Sequence, residues 1–201
     1  MRIGMLGTGV VGQTLEAKLT ELGHDVKVGS RDPERSFEAA ASHGEIIFNA
    51  TGGSVSLNAL RMAGAANLAR KVLIDVSNPL DFSGGFPPTL TVCNTDSVAE
   101  QIQREFPDAR VVKALNTMNA GVMTNPDLVP GDHNVFIAGD DEAAKTEVQS
   151  LLVAFGWPAA RVMDLGGLDA ARGMEMYLPL WLRMFQAAGT PQINIAVMRA
   201  A

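Results

Sequence analysis

The chain has 201 residues, 47% hydrophobic and 19% charged, an ordinary globular balance with enough apolar mass for a core. Its formal net charge of -6, with no basic stripe along the chain, argues against a nucleic-acid partner and against anionic surfaces. The single cysteine, Cys93, cannot close an intramolecular disulfide, which fits a reducing, cytoplasmic setting, and its apolar run (90–93) reads as core.

Strand and helix signals alternate from the start. A short β-run, 2–6, leads through glycines into a helical pattern over 10–22 that Gly23 closes. Residues 25–29 form the next strand. Asp32 and Pro33 then open a helix running to about Ser42, Asp32 as N-cap. Strand 45–50, helix 54–68 and strand 72–76 follow. After a loop rich in Gly and Pro (78–88) come a short strand at 90–93, helix 97–106 and strand 110–115. Beyond a loop (116–132) lie strand 134–138, helix 141–155 and strand 160–164. The last units are a long apolar helix, 168–188, kinked by Pro179, and a terminal strand, 192–198.

No window reaches the roughly 18 apolar residues of a membrane span, and the start of the chain lacks the long apolar stretch of a signal peptide. Such alternation implies an α/β fold: a doubly wound, mostly parallel, Rossmann-like sheet in one domain, 1–201, with a core at 1–165 and an extension at 166–201. Only residues 31–44 separate strand 25–29 from strand 45–50, room for one helix and no strand. The usual third strand is therefore missing, which leaves 25–29 at or near the sheet edge.

Gly7-Thr8-Gly9-Val10-Val11-Gly12 matches G-x-G-x-x-G in the confirming context, after a strand and opening a helix. Gly7 permits the tight turn, Gly9 lets backbone approach a pyrophosphate, and Gly12 lets helix pack on strand. Free N–H groups at the helix start then face the anion. At the end of the second strand an NAD site carries Asp or Glu for the ribose 2′-hydroxyl. This chain reads Gly29-Ser30-Arg31 instead. Ser30 can donate to a 2′-phosphate, the planar fork of Arg31 can pair with it, and Arg35 lies one turn further on. The reading is NADP(H) over NAD(H).

With these residues in hand, the chain resembles the deazaflavin (coenzyme F-420)-dependent NADP reductase family, also labelled NADP oxidoreductase. The similarity covers nearly the whole chain and is carried by Gly7-Thr8-Gly9, Gly29 to Asp32, Asp75 to Pro79, Lys113 to Thr117, Gly139 to Asp141 and Asp164 to Gly166. The cytosolic reductase domain of the six-transmembrane metalloreductases is similar too, without their membrane part. The resemblance implies Thr8, Val10 and Val11 at the pyrophosphate and Ser30, Arg31 and Arg35 at the 2′-phosphate. It also implies Thr51, Gly52, Gly53, Asn78, Pro79, Asn116, Thr117 and Met118 around the ribose and nicotinamide. At Gly52-Gly53 the chain departs from the apolar residue and Pro that relatives often carry.

No general base stands out, and hydride exchange between nicotinamide and a flavin-like ring needs none. His24, His43 and His133 read as surface or capping residues, not spaced as a metal site. The expected activity is NADP(H)-dependent hydride transfer with a deazaflavin (F-420) or flavin acceptor. Reduction of a small carbonyl or imine, with Lys113 the nearest proton donor, and NADP binding without turnover, as a redox sensor, stay open. The Met-rich apolar terminal helix suits a homodimer interface as well as core, with Glu175 either paired with Arg172 or at that interface.

Overall fold

The computed structural model describes residues 1–200. Strand β1 (Arg2–Leu6) leads into helix α1 (Val10–Glu21), and β2 (Asp25–Gly29) follows. Helix α2 (Phe37–His43) precedes β3 (Ile46–Asn49); α3 (Gly53–Ala63) and α4 (Ala65–Leu68) precede β4 (Val72–Asp75). A small hairpin, β5 (Leu80–Asp81) with β6 (Thr89–Leu90), comes before α5 (Val98–Glu105) and β7 (Arg110–Ala114). The rest runs α6 (Ala120–Thr124), β8 (Val135–Ala138), α7 (Glu142–Ala154), β9 (Val162–Asp164), α8 (Ala171–Met176) and α9 (Leu178–Ala188).

The main sheet has the order β2-β1-β3-β4-β7-β8-β9. Every pairing is parallel except β7 with β8, which is antiparallel. Strands β3 and β4 are buried at every residue, as continuous apolar runs covered by helices on both faces must be. By contrast β2 alternates, Val26 and Val28 turned partly inward and Asp25 and Lys27 outward, so charge protects the free edge. The edge position expected from the short 31–44 segment is the one observed.

Two apolar layers sandwich the sheet. One joins Ile3, Leu15, Phe48, Val112, Val148 and Trp157, beneath α1, α6 and α7. The other joins Leu6, Ala40, Leu60, Leu73 and Ile102, beneath α2, α3 and α5. Because β1 feeds neighbours on both sides, the sheet changes direction between β1 and β3. The crevice at their carboxyl ends is where such folds bind ligands.

Several expectations are corrected. The 33–42 helix is two pieces, a 3-10 turn (Pro33–Arg35) and α2, because the Ser36 side chain accepts from Ala39 N and caps a fresh start. Gly64, at φ +86°, breaks the 54–68 helix into α3 and α4. The 116–132 loop contains α6, started by Asn119 capping Gly121 N, and a 3-10 turn, Pro126–Leu128. The long terminal helix divides at Tyr177 into α8 and α9, with Pro179 in the first turn of α9, where its missing N–H costs nothing.

No strand forms at 192–198. Those residues are tied down singly instead: Asn134 N donates to Ile195 O at 2.9 Å and Val197 N to the Asn134 side chain at 2.8 Å. His133 is therefore not a surface residue. It is buried, its Nε2 lying 3.1 and 3.0 Å from the carbonyls of Pro126 and Val129, while Nδ1 accepts from Asn194 Nδ2 at 2.8 Å. Cys93 is exposed rather than core, since β6 ends at Leu90 and the chain turns out to solvent.

Candidate functional site

At the carboxyl end of β1 the backbone bends sharply. A Cβ on Gly7, at φ +117°, would sit 2.7 Å from Ala50 O, and one on Gly12 would sit 2.3 Å from Gly7 O. Both positions demand glycine for packing. Gly9 differs: a Cβ there would meet nothing within 4 Å. It begins α1 without any side-chain cap, so the first-turn N–H groups point at open space. That is the cradle a pyrophosphate requires, and the residues fit a dinucleotide.

Two cavities flank this turn. The first, about 270 Å³, is lined by Gly7, Thr8, Ser30, Arg31, Phe37, Thr51, Val55, Asn58 and Ala59. Among the described residues no carboxylate lines it. The nearby Asp32 is engaged elsewhere, its Oδ1 accepting from Glu34 N at 3.0 Å while Ser30 Oγ accepts from Asp32 N. The second, about 430 Å³, is lined by Gly9 to Val11, Ala50 to Ser54, Val76 to Asn78, Leu80 and Phe82. Arg35 belongs to neither. It lines an adjoining hollow with Lys27 and Glu34 that shares Thr8 with the first cavity, and it lies 3.8 Å from Asp32.

The floor between β3, β4 and β7 is made of polar side chains in mutual contact. Asn49 donates to Ser56 Oγ (3.0 Å) and Asp75 Oδ1 (2.8 Å), and accepts from Thr51 Oγ1 (2.7 Å). Gly53 is fixed here too: its N–H donates to Asn78 O at 3.1 Å, and a Cβ would lie 2.3 Å from that oxygen. The Gly52-Gly53 departure thus lets α3 start hard against the Asn78–Pro79 backbone. Asn78 and Asn116 clasp each other, Nδ2 of Asn116 donating to Asn78 Oδ1 (2.8 Å) and to Met174 O (3.1 Å). In return Asn78 Nδ2 donates to Asn116 O (2.9 Å). Thr117 and Met118 are buried beside them, outside both cavities.

Beneath this clasp lies a charge cluster that sequence reading missed. Lys113, fully buried in β7, donates to Asp75 Oδ2 (2.7 Å), Glu175 Oε1 (2.8 Å) and Ser77 O (2.5 Å). Burial alone would lower the ammonium pKa, but the carboxylates of Asp75 and Glu175 outweigh it and hold Lys113 above its usual value. Burial pushes the Glu175 carboxyl up; Lys113 pulls it back, and the charge on Asp75 adds to the rise. One ammonium faces two carboxylates, and the start of α5 supplies the balance: Val98 N and Ala99 N donate to Glu175 at 2.9 and 3.3 Å. Glu175 therefore pairs neither with Arg172 nor across an interface; Arg172 binds Glu100. The signal was present, since a Lys inside Val111-Val112-Lys113-Ala114 and an Asp ending β4 cannot stay buried without partners.

Three buried oxygens at this end lack a partner among the described residues: Ser77 Oγ, Asn116 Oδ1 and Thr117 Oγ1. An orphaned buried polar atom costs about 1–3 kcal/mol, and a cluster of them beside a cleft fits a polar ligand group. The site offers backbone donors for phosphates, a cation without a competing acid, and an amide-and-hydroxyl floor.

Comparison with known proteins agrees with this geometry. Residues 2–44 match the family described as NADP oxidoreductase, coenzyme F420-dependent. The chain is 30% identical over 210 residues to the F420-dependent NADP reductase of Methanothermobacter marburgensis, covering 92% of each. It is 32% identical over 197 residues to the metalloreductase STEAP3 of Rattus norvegicus, covering 90% of this chain but only 38% of that one. The crystal structure of an Arthrobacter sp. FB24 protein, provisionally named an F420-dependent NADP-reductase, superposes with TM-score 0.95 at 48% identity, over 99% and 100% of the two chains. A Streptomyces aurantiacus imine reductase (TM-score 0.62, 16% identity, 94% of this chain and 63% of that one) shares the fold alone. Among the described residues no helix is long and apolar enough to cross a membrane. The chain belongs to the coenzyme F420-dependent NADP oxidoreductase family.

Proposed function

We propose that this chain is an NADP(H)-dependent oxidoreductase that passes hydride between NADPH and a deazaflavin- or flavin-type ring. One observation carries the cofactor assignment: Ser30 and Arg31 line the same cavity as Gly7 and Thr8, and among the described residues no carboxylate does. Arg31 and Ser30 bind the 2′-phosphate, and Thr8, Gly9, Val10 and Val11 present the start of α1 to the pyrophosphate. Thr51, Gly52, Gly53 and Asn78 line the cavity that takes the nicotinamide end, while Pro79, Asn116, Thr117 and Met118 lie outside that lining, with Asn116 supporting Asn78. When bound, NADPH supplies a hydride, one proton with two electrons, to the acceptor ring. The names of the relatives support deazaflavin as that acceptor.

Carbonyl or imine reduction fits less well. Lys113, the donor it would use, is fully buried with three oxygens already bound to its ammonium. The same reading divides the chain into a nucleotide-binding core, 1–165, and an extension, 166–201. It places the protein in the cytoplasm as a homodimer joined through α9, where Leu180 is 56% exposed. Light scattering of wild type and Leu180→Lys tests the pairing: a monomer in both removes it. For the activity, NADPH oxidation is followed with coenzyme F420, flavin mononucleotide, ferric chelates and a carbonyl panel. Oxidation only with a ring acceptor is expected. Turnover of carbonyls alone overturns the reading, and tight NADPH binding without any oxidation converts it to a sensor.

A further inference from the structure

Most large apolar side chains of this protein are buried, and single exposed ones are unremarkable. Two of the most exposed, Val10 (73%) and Phe82 (57%), line one cleft, the 430 Å³ cavity assigned above to the nicotinamide end. The rest of that lining is glycine backbone, hydroxyls, an amide and the less exposed apolar side chains of Val11, Ala50, Val76 and Leu80, surfaces that suit a dinucleotide. An aromatic face left in water at its mouth suits something flat and apolar.

The backbone that carries Phe82 is held in place. It directly follows β5, whose Leu80 and Asp81 pair with Leu90 and Thr89 of β6. Leu80 N donates to Asn78 O (2.9 Å), Thr91 N to Pro79 O (2.8 Å), and Ser83 N to Asp81 Oδ1 (2.8 Å). Gly85 N closes the turn onto Phe82 O at 2.9 Å. Leu80 also packs against the Leu178, Trp181 and Leu182 cluster of the C-terminal extension. Asn78 is in turn clasped by Asn116. An exposed ring on a backbone tied this closely to Asn78 is a preorganised surface, which lowers the entropic cost of stacking on it.

We propose that Phe82 is the stacking face for the planar tricyclic ring of the hydride acceptor, with Val10 completing the apolar mouth. This rests on the reading that NADPH and a ring acceptor share the cleft. It adds a residue that the glycine turn, the Ser30–Arg31 tip and the asparagine clasp do not include, and it assigns acceptor affinity to the β5–β6 hairpin.

The test is equilibrium binding, independent of turnover. Coenzyme F420 and flavin mononucleotide are titrated separately by fluorescence into wild type, Phe82→Ala, Phe82→Tyr and Phe86→Ala, with NADPH dissociation constants measured alongside. Phe86 is 54% exposed on the same hairpin but does not line the cleft. Phe82→Ala is expected to weaken ring binding about tenfold, while Phe82→Tyr stays within about twofold of wild type. Phe86→Ala should change nothing, and NADPH affinity should hold in every variant. A loss seen with only one ring supports the proposal and identifies the acceptor class. Unchanged ring binding in Phe82→Ala, an equal loss in Phe86→Ala, or a parallel loss of NADPH affinity overturns it. Wild type that binds NADPH but neither ring overturns it as well, whereas wild type that fails to bind NADPH removes the functional reading beneath it.

Discussion

Ser30 and Arg31 at the tip of β2, and Lys113 with Asp75 and Glu175 beneath β4 and β7, both place charge at the carboxyl ends of the sheet. They do so in opposite ways. Arg31 is exposed and lines an open cavity beside its chain neighbour Ser30. Lys113 is buried, and its partners come from 38 residues upstream and 62 downstream. An exposed cation costs the folded state almost nothing and stays available to a ligand. A buried ion triad is committed to folding: its desolvation is repaid only when every member is in place, which makes it a weak source of stability but a strict determinant of position. Here the position it sets is that of Ser77 and the Asn78–Pro79 turn, the wall of the cleft.

The widest gap between the two ends should appear on removing one charge from each. Lys113→Met leaves two carboxylates buried together and should cost about 3–5 kcal/mol, read by urea unfolding at pH 7. The double variant Lys113→Met with Glu175→Gln should recover part of that loss; no recovery would mean that packing, not charge balance, sets the cost. At the exposed end Arg31→Ala should leave unfolding unchanged and weaken NADPH by about 1.5–3 kcal/mol, with NADH barely affected. Equal losses for both nucleotides would remove the distinction between the ends.

Glycines sharpen the same contrast on a smaller scale. Gly9→Ala adds a methyl where nothing lies within 4 Å, so thermal melting should not move while NADPH weakens roughly tenfold. A melting point that drops with Gly9→Ala would show that the cradle is packed rather than open to a ligand.

The smallest effect belongs to a pair outside the cleft. The Arg104 guanidinium holds the Asp96 carboxyl down at about 2 from 3.8. A depressed acid stabilises the fold above its unfolded value and loses that contribution as pH falls from about 3.8 toward 2. Because Arg104 is largely exposed, Asp96→Asn should cost under about 1 kcal/mol at pH 7, with the difference vanishing near pH 2. A larger or pH-independent loss would give this surface pair a weight like that of the buried triad.

Much of the fold was legible because its signals are local. Each βα step of the first half is written as an apolar run, a cap and a glycine, and the short 31–44 segment left no room for a third strand. The glycine turn and the Ser30–Arg31 tip were legible for the same reason. Arg35 sits in a 3-10 turn because Ser36 restarts the helix, and it lines a hollow that meets the Ser30–Arg31 cavity at Thr8. Lys113 and Asp75 stood out only as charges inside apolar strands, and Glu175 not at all, since a Glu in a Met-rich helix reads equally well as surface. The tail at 192–198 has strand-like residues, yet it pairs by single contacts to Asn134 and forms no ladder.

The sequence by itself determined the strand–helix alternation, the free edge at β2, the glycine turn and a strand tip that carries Ser30 and Arg31 where a carboxylate would otherwise stand. Each follows from residues within one or two turns of each other, where backbone sterics and capping act. Only the tertiary structure decided which carboxylates neutralise Lys113, that Asn78 and Asn116 clasp each other, and that Phe82 faces the cleft. Those depend on strands and helices far apart in the chain reaching the same end of the sheet, where burial makes each charge and each amide choose a partner.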